Sequence, residues 1–244
     1  MRDTQMKYLD LTFSTPHKNL ACDEALLDLC EEGGGDELLR FWEPRDYFVV
    51  LGYANKAHSE ANLEACRKAN LPVLRRCTGG GTVVQGPGCL NYSLFLRISA
   101  TGLLQSITKT NCFIMKRQRE TLQNTFGRQV EVQGVTDLTI DGLKFSGNAQ
   151  RRRREFLLFH GTFLLDLNLD LIEKLLPMPS KQPDYRNNRQ HIEFLTNLTV
   201  PASAIKQCLA RAWNATEPAE PLPNDRIDEL VREKYSKQEW NLKF

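Results

Sequence analysis

The chain has 244 residues, 25% of them charged and 41% hydrophobic, with a net charge of +2. These values match a soluble globular protein and exclude a disordered chain, a collagen-like chain and a coiled coil, and so small a net charge gives no argument for nucleic acid. No run approaches 18 apolar residues, residues 1–10 lack an apolar signal core, and seven cysteines without paired CxxC spacing fit reduced thiols, so the expected location is cytoplasmic.

In chain order, Asn19 is placed to cap a helix with Cys22, Ala25, Leu26, Leu29 and Cys30 on one face and Gly33, Gly34 and Gly35 at its end. Residues 38–42 and 47–51 read as strands around a turn at Pro44, 60–69 as a helix and 72–75 as a strand. Tyr92, Leu94, Leu96 and Ile98 alternate with Asn91, Ser93, Phe95 and Arg97, which predicts a strand with one face on a core. A helix is expected over 103–125, ended near Gly127. Short strands follow at 130–132, 137–140, 143–148, 155–159 and 161–166, with turns at Asp141-Gly142 and near Gln150. Residues 169–176 form a short helix, and Pro177, Pro179 and Pro183 a loop. Pro201 opens a helix with Ile205, Cys208, Leu209, Ala212 and Trp213 on one face. Residues 215–224 hold three prolines and read as a linker before a last helix carrying Ile227, Leu230, Val231 and Tyr235. The sum is an α+β protein, with a domain over 1–214 and a linker and helical tail over 215–244.

The chemistry concentrates at Arg75-Arg76-Cys77-Thr78-Gly79-Gly80-Gly81-Thr82, which follows a strand. Three glycines let backbone approach a ligand, successive N–H groups in such a turn form an anion-binding nest, and two arginines add charge. An anionic small molecule and a plain hairpin turn with surface arginines are both consistent with that spacing. The P-loop and dinucleotide-binding patterns do not fit it. No His/Asp/Glu cluster has ligand spacing, so no resident metal is expected.

Three blocks, in order, resemble the lipoate–protein ligase and octanoyltransferase superfamily, which shares its catalytic fold with biotin protein ligase. They are the arginine–glycine stretch with Val83; Asp137-Leu138-x-x-Asp141-Gly142-x-Lys144-x-Ser146-Gly147-Asn148-Ala149-Gln150; and His160-Gly161-Thr162-x-Leu164-Leu165. Asn197-Leu198 resembles the family's closing Thr-Asn-Leu, and Asn19-Leu20-Ala21-x-Asp23-Glu24-Ala25 its N-terminal helix. The resemblance implies a mixed β-sheet core flanked by helices. It implies that Lys144 is catalytic, neutralising charge that develops during acyl transfer. Arg76, Gly79, Gly80 and Gly81 would hold the acyl chain and the phosphate of an acyl-adenylate, and Asp137 would contact the acceptor lysine or the adenylate. Thr78, Thr82, Gln85, Asn91, Ser146, Gly147, Ala149, His160, Gly161 and Thr162 would complete the site. His160 reads as a satisfied strand histidine beside the site, with a base as the alternative.

Where the ligases usually carry His-Asp after the glycine block, this chain has Gln85 followed by Gly86-Pro87-Gly88, a run more like the octanoyltransferase branch. Those transferases use an acyl-cysteine in the second half of the core, yet no cysteine lies between Cys112 and Cys208. The resemblance therefore implies a ligase that activates lipoate or octanoate with ATP and Mg²⁺ and acylates the lysine of an apo lipoyl-domain protein. A separate accessory ligase subunit is an implied partner. The rivals are an ATP-independent transferase fed by an acyl carrier protein, with Cys77 or Cys89 as a non-standard nucleophile, and a non-catalytic acyl-binding homologue. Arg151, Arg152, Arg153 and Arg154 read as either a solvated turn or a docking patch for an acidic acceptor. Residues 182–191, rich in side-chain donors and with two arginines, lie where the superfamily has a mobile loop, and the resemblance implies that they could close on the adenylate or a carrier. A biotin ligase is set aside because its Gly-Arg-Gly-Arg-type loop is not seen.

Overall fold

The computed structural model describes residues 5–33, 35–219 and 221–244. Gly34, residues 1–4 and Glu220, which fall in the expected helix end, N-terminal stretch and linker, lie outside the described residues. The strands are β1 (Met6–Asp10), β2 (Leu38–Trp42), β3 (Phe48–Leu51), β4 (Val73–Arg75), β5 (Val83–Gln85), β6 (Cys89–Arg97), β7 (Glu131–Gln133), β8 (Asp137–Ile140), β9 (Leu143–Arg152), β10 (Phe156–Leu164) and β11 (Ala215–Pro218). The helices are α1 (Pro16–Glu31), α2 (Ala57–Glu60), α3 (Leu63–Lys68), α4 (Ile107–Phe126), α5 (Asp170–Leu175), α6 (His191–Phe194), α7 (Ala202–Ala212), α8 (Asn224–Leu230) and α9 (Gln238–Asn241).

Eight strands form one mixed sheet in the order β11-β1-β2-β6-β10-β9-β8-β7, and β4-β3-β5 form a small second sheet. The alternation in 91–98 predicted one buried face, but β6 is buried on both. Ile114, Met115, Ile205 and Leu209 of α4 and α7 cover one side. Leu26 and Leu27 of α1, with Ile227 and Leu230 of α8, lie in the core on the other. A central strand between two helical layers has no solvent face, so both sets of side chains are apolar or paired. A third cluster joins β3 of the small sheet to α3 and α5 through Val49, Leu51, Cys66, Ile172 and Leu175.

Local chemistry explains where elements begin. The cap of α1 is Thr15, whose side chain accepts from Lys18 N, with Pro16 in the first turn. Asn19 is not the cap; it lies inside the helix, where its amide binds the Phe13 backbone from both sides. The helix expected over 60–69 is two helices, because Asn62 caps α3 anew by accepting from Ala65 N. Gly127, at φ +64°, ends α4 by donating to Gln123 O. The strands expected at 155–159 and 161–166 are one, since β10 pairs with β6 without a break from Phe156–Arg97 to Leu164–Cys89. The stretch read as a linker contains β11, which closes the sheet edge in parallel with β1. Strand β1 carried no clear periodic signal and is fixed by its two parallel neighbours.

Candidate active site

Between the glycine loop, the strands β6, β9 and β10, and residues 176–195 lies a cavity of about 490 Å³. It brings together Lys144, Asp137, Arg76, Gly80, Gly81, Thr82, Gln85, Asn91, Ser146, Gly147, Ala149, His160, Gly161 and Thr162. Thr78 and Gly79 do not line it. Thr78 is buried and its hydroxyl lies 2.7 Å from His160 Nε2, while Gly79 is exposed.

Lys144 reaches the cavity through an irregularity in β9. Leu138 pairs with Ser146 but Thr139 with Lys144, so Phe145 is an extra residue on that strand. In strict alternation positions i and i+3 face opposite ways. The bulge puts Phe145 in the core and Lys144 on the side of Gly147. A Cβ at Gly147 would stand 2.8 Å from Lys144 Nζ, so the glycine is the space the ammonium occupies. Lys144 Nζ pairs with Asp137 Oδ1 at 2.8 Å, and the lysine side chain remains 25% exposed. Tyr185 donates its hydroxyl to the other Asp137 oxygen at 2.7 Å. Burial, and then the Asp137 charge, push the Tyr185 phenol above its ordinary value. The phenol therefore stays a donor, and a neutral tyrosine and a lysine share one carboxylate.

Arg76 turns into the glycine loop. Its guanidinium donates to the carbonyls of Gly79 (2.6 Å) and Gly81 (2.8 Å) and to the Thr78 hydroxyl (3.0 Å). Burial pulls it down to about 10, which leaves it charged at neutral pH. Gly80 sits at φ +88°, and a Cβ there would come within 2.8 Å of Arg76 Nη2. The arginine takes the carbonyls of Gly79 and Gly81, whereas the N–H groups of Gly79, Gly80 and Gly81 take part in none of the hydrogen bonds among the described residues. Such unpaired donors beside a cavity suit an anion.

Arg75 points away from the cavity. It donates to the carbonyls of Gly52, Asn55 and Trp240, which fastens the glycine-loop strand to the C-terminal residues. Gln85, Thr162 and Asn91 close a ring of hydrogen bonds: Gln85 donates to Thr162 (2.7 Å), Thr162 to Asn91 (2.6 Å), and Asn91 back to Gln85 (2.9 Å). His160 stands between Thr78 and buried Asp23, whose Oδ2 lies 3.7 Å from His160 Nδ1. Asp23 itself is held by Arg40 at 2.5 Å and Ser93 at 2.8 Å.

Neither loop cysteine lines the cavity. Cys77 is buried under the C-terminal residues, and burial, then Glu24, push its thiol up to about 11. Burial pushes Cys89 up to about 12. Three of the four consecutive arginines are committed within the molecule. Arg151 reaches Glu24 and the Cys77 carbonyl, Arg152 donates to Thr110 and Leu104, and Arg153 pairs with Asp28 at 2.6 Å. Arg153 and Arg154 lie in the exposed turn between β9 and β10, so the solvated turn describes that end of the run, while the internal partners of Arg151, Arg152 and Arg153 leave no free docking patch of four arginines.

The cavity also contains Asn148, Glu60, Arg186 and His191, which were not among the expected site residues. Asn148 was legible within its block, as a polar residue two after Ser146. Tyr185, Arg186 and His191 lie in the donor-rich loop over 182–191, which the sequence offered as a segment able to close on the donor without assigning any one of its residues to the site. Among the described residues no group of three His, Cys, Asp or Glu side chains could hold a metal ion.

The family model described as "Lipoyl protein ligase A/B catalytic domain" matches residues 15–214. The octanoyltransferase LipM of Geobacillus kaustophilus is 27% identical, over 97% of this chain and 98% of its own length. The bi-partite lipoate protein ligase of Thermoplasma acidophilum, from a study of an archaeal lipoylation system and its E2 lipoyl domain, superposes with a TM-score of 0.83 at 24% identity, over 98% of this chain and 96% of that one. A lipoate-protein ligase A bound with ATP superposes with a TM-score of 0.81 at 24% identity, over 98% and 99% of the two chains. The mixed sheet, its flanking helices and the match over most of the sequence agree, and the chain belongs to the lipoyl protein ligase A/B catalytic domain family of enzymes.

Proposed function

We propose that this protein attaches lipoate or octanoate to the lysine of a lipoyl domain by attack on an acyl-adenylate, made with ATP and Mg²⁺. The observation that carries the reading is a cavity with a paired lysine and no thiol. Lys144 lines it, while Cys77 and Cys89 are buried elsewhere and protonated at neutral pH. An acyl-cysteine route needs an accessible thiolate, which neither supplies.

The chain's own groups fit an anionic donor. The loop N–H groups and the Lys144 ammonium present positive charge where a carboxyl and phosphate would lie. Lys144, steadied by Asp137 and Tyr185, is set to stabilise charge on the acyl oxygen as the acceptor amine attacks. ATP supplies the leaving group, and Mg²⁺ would come in on the phosphates, since such ions usually need few protein ligands. Closure of the acceptor domain over the cavity would orient the incoming amine. The family's names cover both ligases and octanoyltransferases, so the donor has to be measured.

The test is mass spectrometry of an apo lipoyl domain incubated with the protein. One arm has octanoate or lipoate with Mg-ATP; the other has octanoyl carrier protein without ATP. The expected result is a mass gain only with ATP, reduced roughly a hundredfold or more in Lys144→Ala and retained in Cys77→Ala and Cys89→Ala. Each arm is repeated with a candidate accessory ligase subunit. A gain from the carrier alone, lost in either cysteine variant, would overturn the reading.

A further inference from the structure

Arg75 and Arg76 follow one another into the glycine loop, and the sequence offered both as charge for a ligand. The structure separates them. Arg76 turns into the loop, whereas Arg75, 0% exposed, lies behind it. Its Nη1 donates to three carbonyls of one turn, those of Gly52 (2.8 Å), Tyr53 (3.1 Å) and Asn55 (2.8 Å). Its Nε donates to Trp240 O at 3.1 Å, and its Nη2 is buried without a hydrogen-bond partner. Its backbone is gripped as well. Asn241 Oδ1 accepts from Arg75 N at 3.0 Å, and Trp240 Nε1 donates to Arg75 O at 2.9 Å. Burial lowers the guanidinium below its ordinary value, and among the described residues it has no carboxylate partner. Three carbonyl dipoles converging on one point repel one another, so the turn over 52–55 keeps this shape around a cation with several donors.

The glycine loop rests on that turn. Tyr53 N donates to Thr78 O at 2.8 Å. Gly52 lies against the Gly80 carbonyl, and a Cβ on it would overlap the Gly80 oxygen. Asn55 Oδ1 accepts from Gly52 N at 2.7 Å and from the Thr82 hydroxyl at 3.3 Å. Arg76 takes the alternate carbonyls, those of Gly79 and Gly81. In a trans peptide the N–H points opposite to the carbonyl of the same unit. Holding the Thr78 and Gly80 carbonyls therefore aims the N–H groups of Gly79 and Gly81, and holding the Gly79 carbonyl aims that of Gly80. Two arginines set the loop's donors, one directly and one through the turn.

We infer that Arg75 is a positioning residue for anion binding: by gathering the carbonyls of the turn over 52–55 it fixes the Thr78 and Gly80 carbonyls, so that the N–H groups of Gly79 and Gly81 face the anionic group of the acyl donor. The residue acts without touching the donor. The inference rests on the reading of the cavity as the acyl-donor site.

The test is titration calorimetry of the full chain with two probes. One is octanoyl-sulfamoyl-adenosine, a stable acyl-adenylate analogue with an anionic sulfamate. The other is the neutral amide of octanoate with amino-deoxyadenosine, which keeps the acyl chain and the nucleoside without the anion. Two variants leave every charge in place: Arg75→Lys, which loses the planar fork, and Gly52→Ala, whose methyl pushes the turn off the Gly80 carbonyl. Each is expected to weaken the anionic probe about tenfold, the loss of a charge-assisted hydrogen bond, and to leave the neutral probe within about twofold. The double variant should match the weaker single variant within about twofold, because both changes act through one turn. Equal loss of both probes, unchanged affinity in either variant, or losses that multiply in the double variant would overturn the inference. If the wild-type chain binds neither probe, the proposed function fails with it; if it binds the anionic probe and the variants are unchanged, only the role of Arg75 fails. Should Arg75→Lys not fold, Asn55→Ala replaces it, since Asn55 ties the same turn to Thr82. The same selective weakening, and the same lack of additivity with Gly52→Ala, are expected; unchanged affinity would count against the inference.

Discussion

At the scale of single residues the site turns on where one ammonium is held. Lys144 Nζ occupies the space a Cβ at Gly147 would need, with Asp137 on its other side. Gly147→Ala is therefore expected to push the lysine off Asp137 and cut acyl transfer by roughly tenfold to a hundredfold, with little change in melting temperature; steady-state rates and a thermal melt measure both. The residues proposed to carry this chemistry were legible in sequence through the resemblance of their block to the family. Their orientation was not. Strict alternation would have put Lys144 with Ser146 and Asn148, and the extra residue Phe145 reverses that. A single-residue slip flips every side chain that follows, and nothing local in Leu143-Lys144-Phe145-Ser146 marks it.

At the scale of elements, the C-terminal residues act on the site from outside the family-matched span. Lys234 Nζ reaches Glu24 of α1 at 2.6 Å, Tyr235 donates to the same carboxylate at 2.8 Å, and Arg151 of β9 approaches it at 3.4 Å. Trp240 and Asn241 bind the Arg75 backbone at the base of the glycine loop. Glu24 thus joins α1, β9 and the tail. Glu24→Gln leaves the Lys234 ammonium without its partner, and breaking such a buried pair costs about 3 kcal/mol. For a chain of this size the melting temperature should fall by roughly 10 °C, and differential scanning calorimetry reads it. The run of arginines belongs to the same account. In sequence it is only a cluster of charge, and its meaning comes from the acids on α1 that the fold brings beneath it.

For the whole molecule, the buried carboxylates set the acid limit of stability. Burial works against the charge on Asp23, but Arg40, His160 and Ser93 outweigh it; burial of Glu24 is likewise outweighed by Lys234, Tyr235 and Arg151. Both groups are held below their ordinary values, so the unfolded chain binds more protons as pH falls below about 4. Their stabilisation is complete above that range and is lost as pH falls through the lowered values. Urea midpoints measured from pH 6 to pH 3 should drop toward acid, and less steeply in Glu24→Gln, which has lost one of the two groups. Composition and the strand and helix periods determined the class of fold and most strands, because these depend on local backbone preference, and the resemblance of three ordered motifs to the family named many of the residues gathered at the cavity. The tertiary structure alone decided which way Lys144 faces, that Cys77 is sealed under the tail, that β11 completes the sheet edge, and that Arg186 lines the cavity. Each of those depends on contacts between segments far apart in sequence, and a linear pattern carries no record of which distant groups will share a buried volume.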